Sequence, residues 1–337
     1  MNKKTCPERS RRILITGSDS VKERATTKLL QESGYQVVVF DNLEFGHRSA
    51  INAPLVIGDL DNLPLLEETF QKENFDAIIH FAGYIVVAES MKNPGKYFHN
   101  NVIKTKGLLD MAVKHGVLNF VFSSTAAVYG IPKKVPIKED DPVIANNPYG
   151  ESKLMIEKML YWYGQAHNLK SIILRYFNAA GGALDGLLGE DHQPETHLIS
   201  RACLAALGKI KDFQLTCPKC NTPDKSTIRD YIHVLDLAEA HVKSLEYLFK
   251  KKKSDIFNVG TGQGYSTLSV IKKISEVSGF KFDLKWGEPR PGEAETLVAS
   301  NEKIKKILGW KPKHSDLETI VKTAWLWHKK HPEGYQK

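Results

Sequence analysis

Through the first half of this 337-residue chain, short and nearly continuous apolar runs alternate with longer amphipathic stretches. Ile13-Leu14-Ile15 ends at Thr16-Gly17, Val37-Val38-Val39-Phe40 at Asp41, and Leu55-Val56-Ile57 at Gly58-Asp59. Ala77-Ile78-Ile79 ends at His80-Phe81-Ala82-Gly83, and Phe120-Val121-Phe122 at Ser123. Ile172-Ile173-Leu174 ends at Arg175-Tyr176-Phe177-Asn178. A run without polar alternation belongs to a strand covered on both faces, as in a parallel sheet. The stretches between are helical up to residue 33, from about 63 to 72 and from about 94 to 115. Helical crossovers between buried strands are right-handed and make the sheet parallel. The expected fold is α/β: a Rossmann-like doubly wound parallel sheet, with polar residues gathered beyond the strand ends where such sheets bind ligands.

Past about residue 180 the alternation loosens. Residues 181–190 form a glycine-rich loop, and helices are expected near 197–207, 234–249, 268–277, 302–308 and 317–328. Strands are expected over about 227–233 and 256–260. The division that follows is a basic tail (1–12), a dinucleotide-type domain (13–180) and a smaller lobe (181–337), some of whose elements return to the main sheet.

Charge and cysteine content narrow the function classes. The formal charge of +8 comes from scattered lysines. The one run, Lys250 to Lys253, reads as a solvated helix end. No nucleic-acid motif accompanies it, so no nucleic-acid partner is expected. No apolar run approaches the roughly 18 residues of a membrane span. The residues from Met1 to Arg12 lead into no signal-peptide core, which points to a cytoplasmic chain with its four cysteines reduced.

The chemistry concentrates at Tyr149 and Lys153, four residues apart and therefore on one helix face. An ammonium held beside a phenol favours the phenolate. A hydroxyl such as Thr125, in Ser123-Ser124-Thr125, can hydrogen-bond both the tyrosine and a substrate oxygen. Together they can move a proton on or off a carbinol. Asp41 follows Gly17 by 24 residues at a strand end, a spacing suited to the ribose hydroxyls of a dinucleotide. Its negative charge would repel a 2′-phosphate.

The motifs, taken in order, resemble an extended short-chain dehydrogenase/reductase, and among these the UDP-galactose (UDP-glucose) 4-epimerases. They are Asp41-Asn42-Leu43, Gly58-Asp59-Leu60, His80-Phe81-Ala82-Gly83, Asn100-Asn101-Val102, the run from Phe122 to Gly130, and Pro148-Tyr149-Gly150-Glu151-Ser152-Lys153. Further on come Arg175-Tyr176-Phe177-Asn178, the run from Ile228 to Val234, and Pro289-Arg290-Pro291-Gly292. Related sugar-nucleotide dehydratases usually carry Thr-Asp-Glu where this chain has Thr125-Ala126-Ala127.

The resemblance implies an isomerase that passes hydride to bound NAD and back through a 4-keto sugar. It implies Tyr149 as acid/base, Lys153 lowering its pKa, and Thr125 beside them. It places Gly17, Asp41, Asn42, Asp59, Leu60, Phe81, Ala82, Gly83, Asn100, Ser123, Tyr149, Lys153 and Phe177 around the cofactor. On the substrate side it places Thr125, Tyr149, Asn178, His197, Leu198, Thr216, Arg229, Arg290 and Glu293. Arginines suit a pyrophosphate because the guanidinium fork pairs with its oxygens bidentately. A UDP-hexose substrate and a homodimer built on helices at about 94–115 and 149–167 are implied as well.

The chain departs from the family at the loop after the first strand. Instead of Thr-Gly-x-x-Gly-x-x-Gly it reads Thr16-Gly17-Ser18-Asp19-Ser20-Val21-Lys22-Glu23. Ser20 and Glu23 replace the glycines that admit a pyrophosphate and a close helix. Ser20-x-x-Glu23 itself reads as a capping box, whose side chains occupy helix donors that an anion would use. A sugar-nucleotide-binding protein with impaired NAD binding therefore stands as an alternative. Ile85 stands where epimerases often carry lysine. Leu297, smaller than the tyrosine of some relatives, would also admit N-acetylated UDP-hexoses. Cys217 and Cys220 have knuckle spacing but no second pair, so no metal site is read there.

Overall fold

The computed structural model describes residues 10–18, 20–192, 194–216, 220–287 and 293–335. The chain begins with β1 (Arg12–Thr16), α1 (Val21–Glu32), β2 (Gln36–Asp41), β3 (Leu55–Ile57), α2 (Leu63–Glu73) and β4 (Ala77–His80). Short helices α3 (Val87–Lys92) and α4 (Pro94–Tyr97) run through a π-helical segment, Phe98–Ile103, into α5 (Lys104–Lys114). Then come β5 (Asn119–Thr125), α6 (Pro148–His167), β6 (Lys170–Tyr176) and β7 (Asn178–Ala180). They are followed by α7 (Leu198–Ala206), β8 (Gln214–Leu215), β9 (Ile228–His233), α8 (Val234–Lys251) and β10 (Asp255–Val259). The last elements are β11 (Gly264–Ser266), α9 (Thr267–Ser278), β12 (Lys285–Trp286), β13 (Thr296–Leu297), α10 (Glu302–Leu308) and α11 (Leu317–Lys330).

Seven strands form one sheet in the order β10-β6-β5-β4-β1-β2-β3, every pair parallel. Order reverses between β1 and β4, which opens a crevice at their carboxyl ends. This is the doubly wound Rossmann-like architecture that the apolar runs require. One face packs Ile13, Ile15, Val39, Ile79 and Val121 against α8 residues such as Leu237 and Leu245. The other packs Leu14, Val38, Ile78, Phe120 and Phe122 against Leu66, Leu108 and Ile156.

The C-terminal part makes a second core around Ile199, Phe213, Ile271 and Val321. Its small sheet joins β7, β9, β11 and β13. The boundary near residue 180 is not a clean cut, because α8 packs on the main sheet and β10 extends its edge beside β6. The helix expected over about 94–115 is interrupted by the π-helical turn, where an extra residue per turn points Asn101 inward. The expectation of four reduced cysteines is not met at Cys220, which is disulfide-bonded and buried. Cys203 is a buried free thiol. Among the described residues no helix is long and apolar enough to cross a membrane.

Buried histidines make this fold sensitive to acid. His241 on α8 lies against Phe81, ring centroids 4.6 Å apart, and burial pushes its imidazole down to about 4. A folded-state value below the unfolded one means that the unfolded chain binds the proton first as pH falls from about 6.5. Each such group therefore removes up to roughly 1.4 kcal/mol of stability per pH unit between those two values. His241→Leu is expected to flatten the fall in urea midpoint between pH 6.5 and 4.5.

Candidate active site

Chemistry collects at the carboxyl edge of the main sheet. Thr125 ends β5, and Asn147 caps α6 by accepting a hydrogen bond from the Gly150 amide at 2.8 Å. Pro148 opens the helix, where its missing N–H costs nothing. Tyr149 and Lys153 thus lie one turn apart in the first half of α6, both buried. Tyr149 shares a hydrogen bond with Thr125. The Lys153 ammonium donates to the Ser123 carbonyl at 3.2 Å and lies 5.0 Å from the centre of the Phe122 ring. A Cβ added at Gly83 would sit 3.4 Å from that ammonium, so this glycine opens the approach to Lys153.

Burial pushes the Tyr149 phenol well above its ordinary value, and Tyr176 adds to the rise. The hydrogen bond from Thr125 and the charge of Lys22 pull it back. Lys22 thus adds a second cation near Tyr149 besides Lys153. The Lys153 ammonium donates to the Ser123 carbonyl, and burial, with the charge of Lys153, pushes the His80 imidazole down to about 3.

A pocket beside this group is lined by Gly17, Asp41, Asn42, Asp59, Leu60, Ala82, Gly83, Asn100 and Lys104. Eight residues named from the sequence thus come together on one crevice. Gly17 has φ +86°, and a Cβ there would meet the Ala82 backbone nitrogen at 2.6 Å. Asp41 accepts the Ser18 amide at 2.7 Å and the Leu43 amide at 2.6 Å. Asp59 is held below the usual carboxylate range: the Asp61 amide and the Lys104 ammonium, 2.7 Å away, outweigh its burial. Phe81 lies under the crevice on His241. Ser123 donates to the Tyr176 hydroxyl at 3.1 Å, and Phe177 is buried with Ala126 and Leu154.

The capping box read from Ser20 and Glu23 does not form. Ser20 takes the N-cap position of α1, yet its side chain caps no amide. Its hydroxyl accepts from the Lys22 ammonium at 3.0 Å, and the same ammonium pairs with Glu23 at 2.7 Å. A charge-assisted bond is stronger than one to a neutral amide, so the lysine captures both capping groups. The second carboxylate oxygen of Glu23 is buried and makes no hydrogen bond among the described residues.

The residues named for the substrate side divide. Asn178 on β7, Arg229 on β9 and Leu297 on β13 share the small sheet, with Leu297 in register with Arg229. Arg229 pairs with Glu293 at 2.9 Å. Leu198 opens α7, and Thr216 follows β8 on the ribbon formed with β12. His197 caps α7 by position and is engaged with Glu190 and Glu195 at 3.0 and 3.1 Å. Those carboxylates outweigh burial and lift its imidazole to about 10. Arg290 and Cys217 lie outside the described residues.

Two supports escaped the sequence reading. Glu157, one turn beyond Lys153, receives both the Arg175 guanidinium, 2.6 Å away, and the Ser124 hydroxyl at 2.6 Å. The pair is fully buried, with side chains 4% and 5% exposed. The signal was available: a carboxylate on the same buried helix face as Tyr149 and Lys153 has to find a cation. Asn101 ties the Tyr84 backbone to the Ser152 hydroxyl on α6. A cavity at the β6–β10 edge contains none of the named catalytic residues.

Comparison with known proteins finds relatives along nearly the whole chain. The sequence model described as "NAD dependent epimerase/dehydratase family" matches residues 13–260. A UDP-glucose 4-epimerase of Lacticaseibacillus casei is 46% identical over 96% of this chain and 98% of its own length. The structure of the UDP-glucose 4-epimerase from Brucella ovis in complex with NAD superposes with a TM-score of 0.90 at 40% identity, covering 94% of this chain and 98% of that one. The Bifidobacterium longum enzyme in complex with NAD+ and UDP gives 0.91 at 34% identity, over 96% and 100%.

Glu157→Ala leaves the Arg175 guanidinium buried without its carboxylate. Such a loss is expected to lower unfolding free energy by about 3–5 kcal/mol, measured as a fall in the urea midpoint.

Proposed function

The chain belongs to the NAD dependent epimerase/dehydratase family, and on that premise we propose that it interconverts UDP-galactose and UDP-glucose as an NAD-dependent 4-epimerase. The observation that carries the reading is the convergence of Thr125, Tyr149 and Lys153 beside the crevice that holds Gly17 and Asp41.

The residues present fit a dinucleotide. Gly17 takes a left-handed turn packed on the Ala82 backbone, and among the described residues the Ser20 side chain takes none of the first amides of α1. Uncapped amides at a helix start suit an anion, and the Lys22 ammonium adds charge there. Asp41 is held at the end of β2 by the Ser18 and Leu43 amides, and its carboxylate would face the ribose hydroxyls. Asn42, Asp59 and Leu60 would border the adenine side. Phe81, Ala82, Gly83, Asn100, Ser123 and Phe177 would border the remainder. These features, with the NAD-bound relatives, support the cofactor-binding reading over a chain that has lost NAD.

NAD, when bound, supplies the hydride acceptor and donor for the sugar's C4, so no net oxidation results. Tyr149 takes the proton of the 4-hydroxyl as a phenolate, the form that the cations Lys153 and Lys22 favour against its burial, and returns it when the 4-keto sugar is reduced on its other face. Thr125 hydrogen-bonds the phenol and holds the reacting oxygen. Lys153 stands close enough to Gly83 to hold the ribose next to the reacting centre. For the UDP group, Arg229 exchanges its pairing with Glu293 for phosphate oxygens. Asn178, His197, Leu198 and Thr216 complete that side.

Homodimerisation is part of the proposal. Around α6 and the adjoining π-helical turn, Tyr161, Trp162 and Ile103 are exposed at 60%, 66% and 55%. Aromatic and aliphatic side chains grouped on paired helices suit a partner surface.

Tyr149→Phe is expected to cut turnover of UDP-galactose by roughly 10²–10⁴-fold while bound NAD is kept; unchanged turnover would exclude Tyr149 as the acid/base. Glu23→Gln removes the negative charge beside Lys22. A several-fold tighter NAD affinity, on the order of 0.5–1 kcal/mol, is expected by fluorescence titration. Sedimentation equilibrium should return twice the chain mass.

A further inference from the structure

We propose that Glu190, His192, Glu195 and His197 bind one divalent transition-metal ion of the zinc class. The site lies in the segment leading into α7, and the ion acts as a structural staple.

One ligand atom from each residue lies within 4.8 Å of all the others. His197 Nδ1 is 3.0 Å from Glu190 Oε1 and 3.1 Å from Glu195 Oε1. His192 Nδ1 is 3.5 Å from Glu190 Oε1 and 3.7 Å from Glu195 Oε2. Donors around a tetrahedral zinc at roughly 2.0–2.2 Å stand about 3.3–3.6 Å apart. The four side chains are therefore gathered closely enough for small shifts to complete a coordination sphere, and the two contacts of His192 are too long for good hydrogen bonds.

The unpartnered atoms give independent support. The Glu195 side chain is only 5% exposed. Its Oε1 accepts the Thr196 and His197 amides at 2.7 and 2.8 Å, while its Oε2 makes no hydrogen bond among the described residues. Neither ring nitrogen of His192 makes one either. Buried polar atoms without partners are costly and rare in native proteins. A cation between them would satisfy Glu195 Oε2 and one ring nitrogen of His192.

Charge and donor type select the ion. Two carboxylates, two neutral imidazoles and a dication sum to zero, so metal can replace the two ring protons without leaving net buried charge. Paired imidazoles disfavour hard calcium and magnesium and suit zinc, cobalt or nickel. Four protein ligands leave no open position, which marks a structural site. Ser200 donates to Glu190 Oε2 at 2.6 Å and orients that ligand from outside. Because His197 and Leu198 begin α7, the ion would fix the start of this helix to the preceding loop.

The test is metal uptake by full-length, tag-free protein after chelator treatment, read by elemental analysis, calorimetric titration with zinc chloride and thermal melts. The expected result is one zinc per chain with a rise in Tm. His192→Ala and Glu195→Gln should each weaken binding by at least roughly 10–100-fold. Should either variant fold poorly, cobalt loading of the wild-type protein decides: a tetrahedral nitrogen and oxygen spectrum supports the site. Absence of stoichiometric uptake, uptake indifferent to both substitutions, or a thiolate-to-cobalt band would overturn it.

Discussion

The buried pairing of Arg175 with Glu157 holds the reactive helix to the sheet. Arg175 belongs to β6 and Glu157 to the middle of α6, so the pair fixes both the height and the rotation of α6 over the sheet edge. Ser124 on β5 and the Tyr129 hydroxyl join the same network. Because Lys153 and Tyr149 are one and two turns from Glu157, a rotation that broke this pairing would also withdraw the phenol from Thr125. A buried ion pair is weak as a source of net stability but strict about geometry. Here the geometry it imposes is that of the site.

What was legible in the sequence followed from local physics. Strands covered on both faces announce themselves as unbroken apolar runs, so β1 to β6 fall on the runs that open with Ile13, Val37, Leu55, Ala77, Phe120 and Ile172. A four-residue spacing on a helix is equally direct, and Tyr149 and Lys153 share their face. The misses involve partners distant in the chain. No local pattern reveals that β10 pairs with β6 across α8, that Glu157 meets Arg175, or that four residues before α7 converge. The capping box failed through competition, since the motif counts Ser20 and Glu23 and ignores the lysine between them.

That competition bears on how such a loop tolerates lost glycines. The usual loop brings bare backbone to an anion. This chain instead carries a cation on the first turn of α1, with the adjacent carboxylate turned onto it. The arrangement is electrostatically mixed: helix amides and ammonium attract, and Glu23 offsets part of that attraction. A tightly held dinucleotide has then to rely more on the ribose and adenine ends of its crevice, where Asp41 and Asp59 are already fixed by backbone amides and Lys104.

The position of β10 also matters during synthesis. β6 is complete at Tyr176, but its outer neighbour arrives on the order of 80 residues later, which at about 5–20 residues per second takes several seconds. Throughout that interval a nascent sheet presents an unpaired, apolar strand edge, the kind of surface that recruits other chains. The N-terminal two-thirds of this protein is thus a poor autonomous unit on the ribosome. Products truncated before Val259 lack the strand that covers this edge.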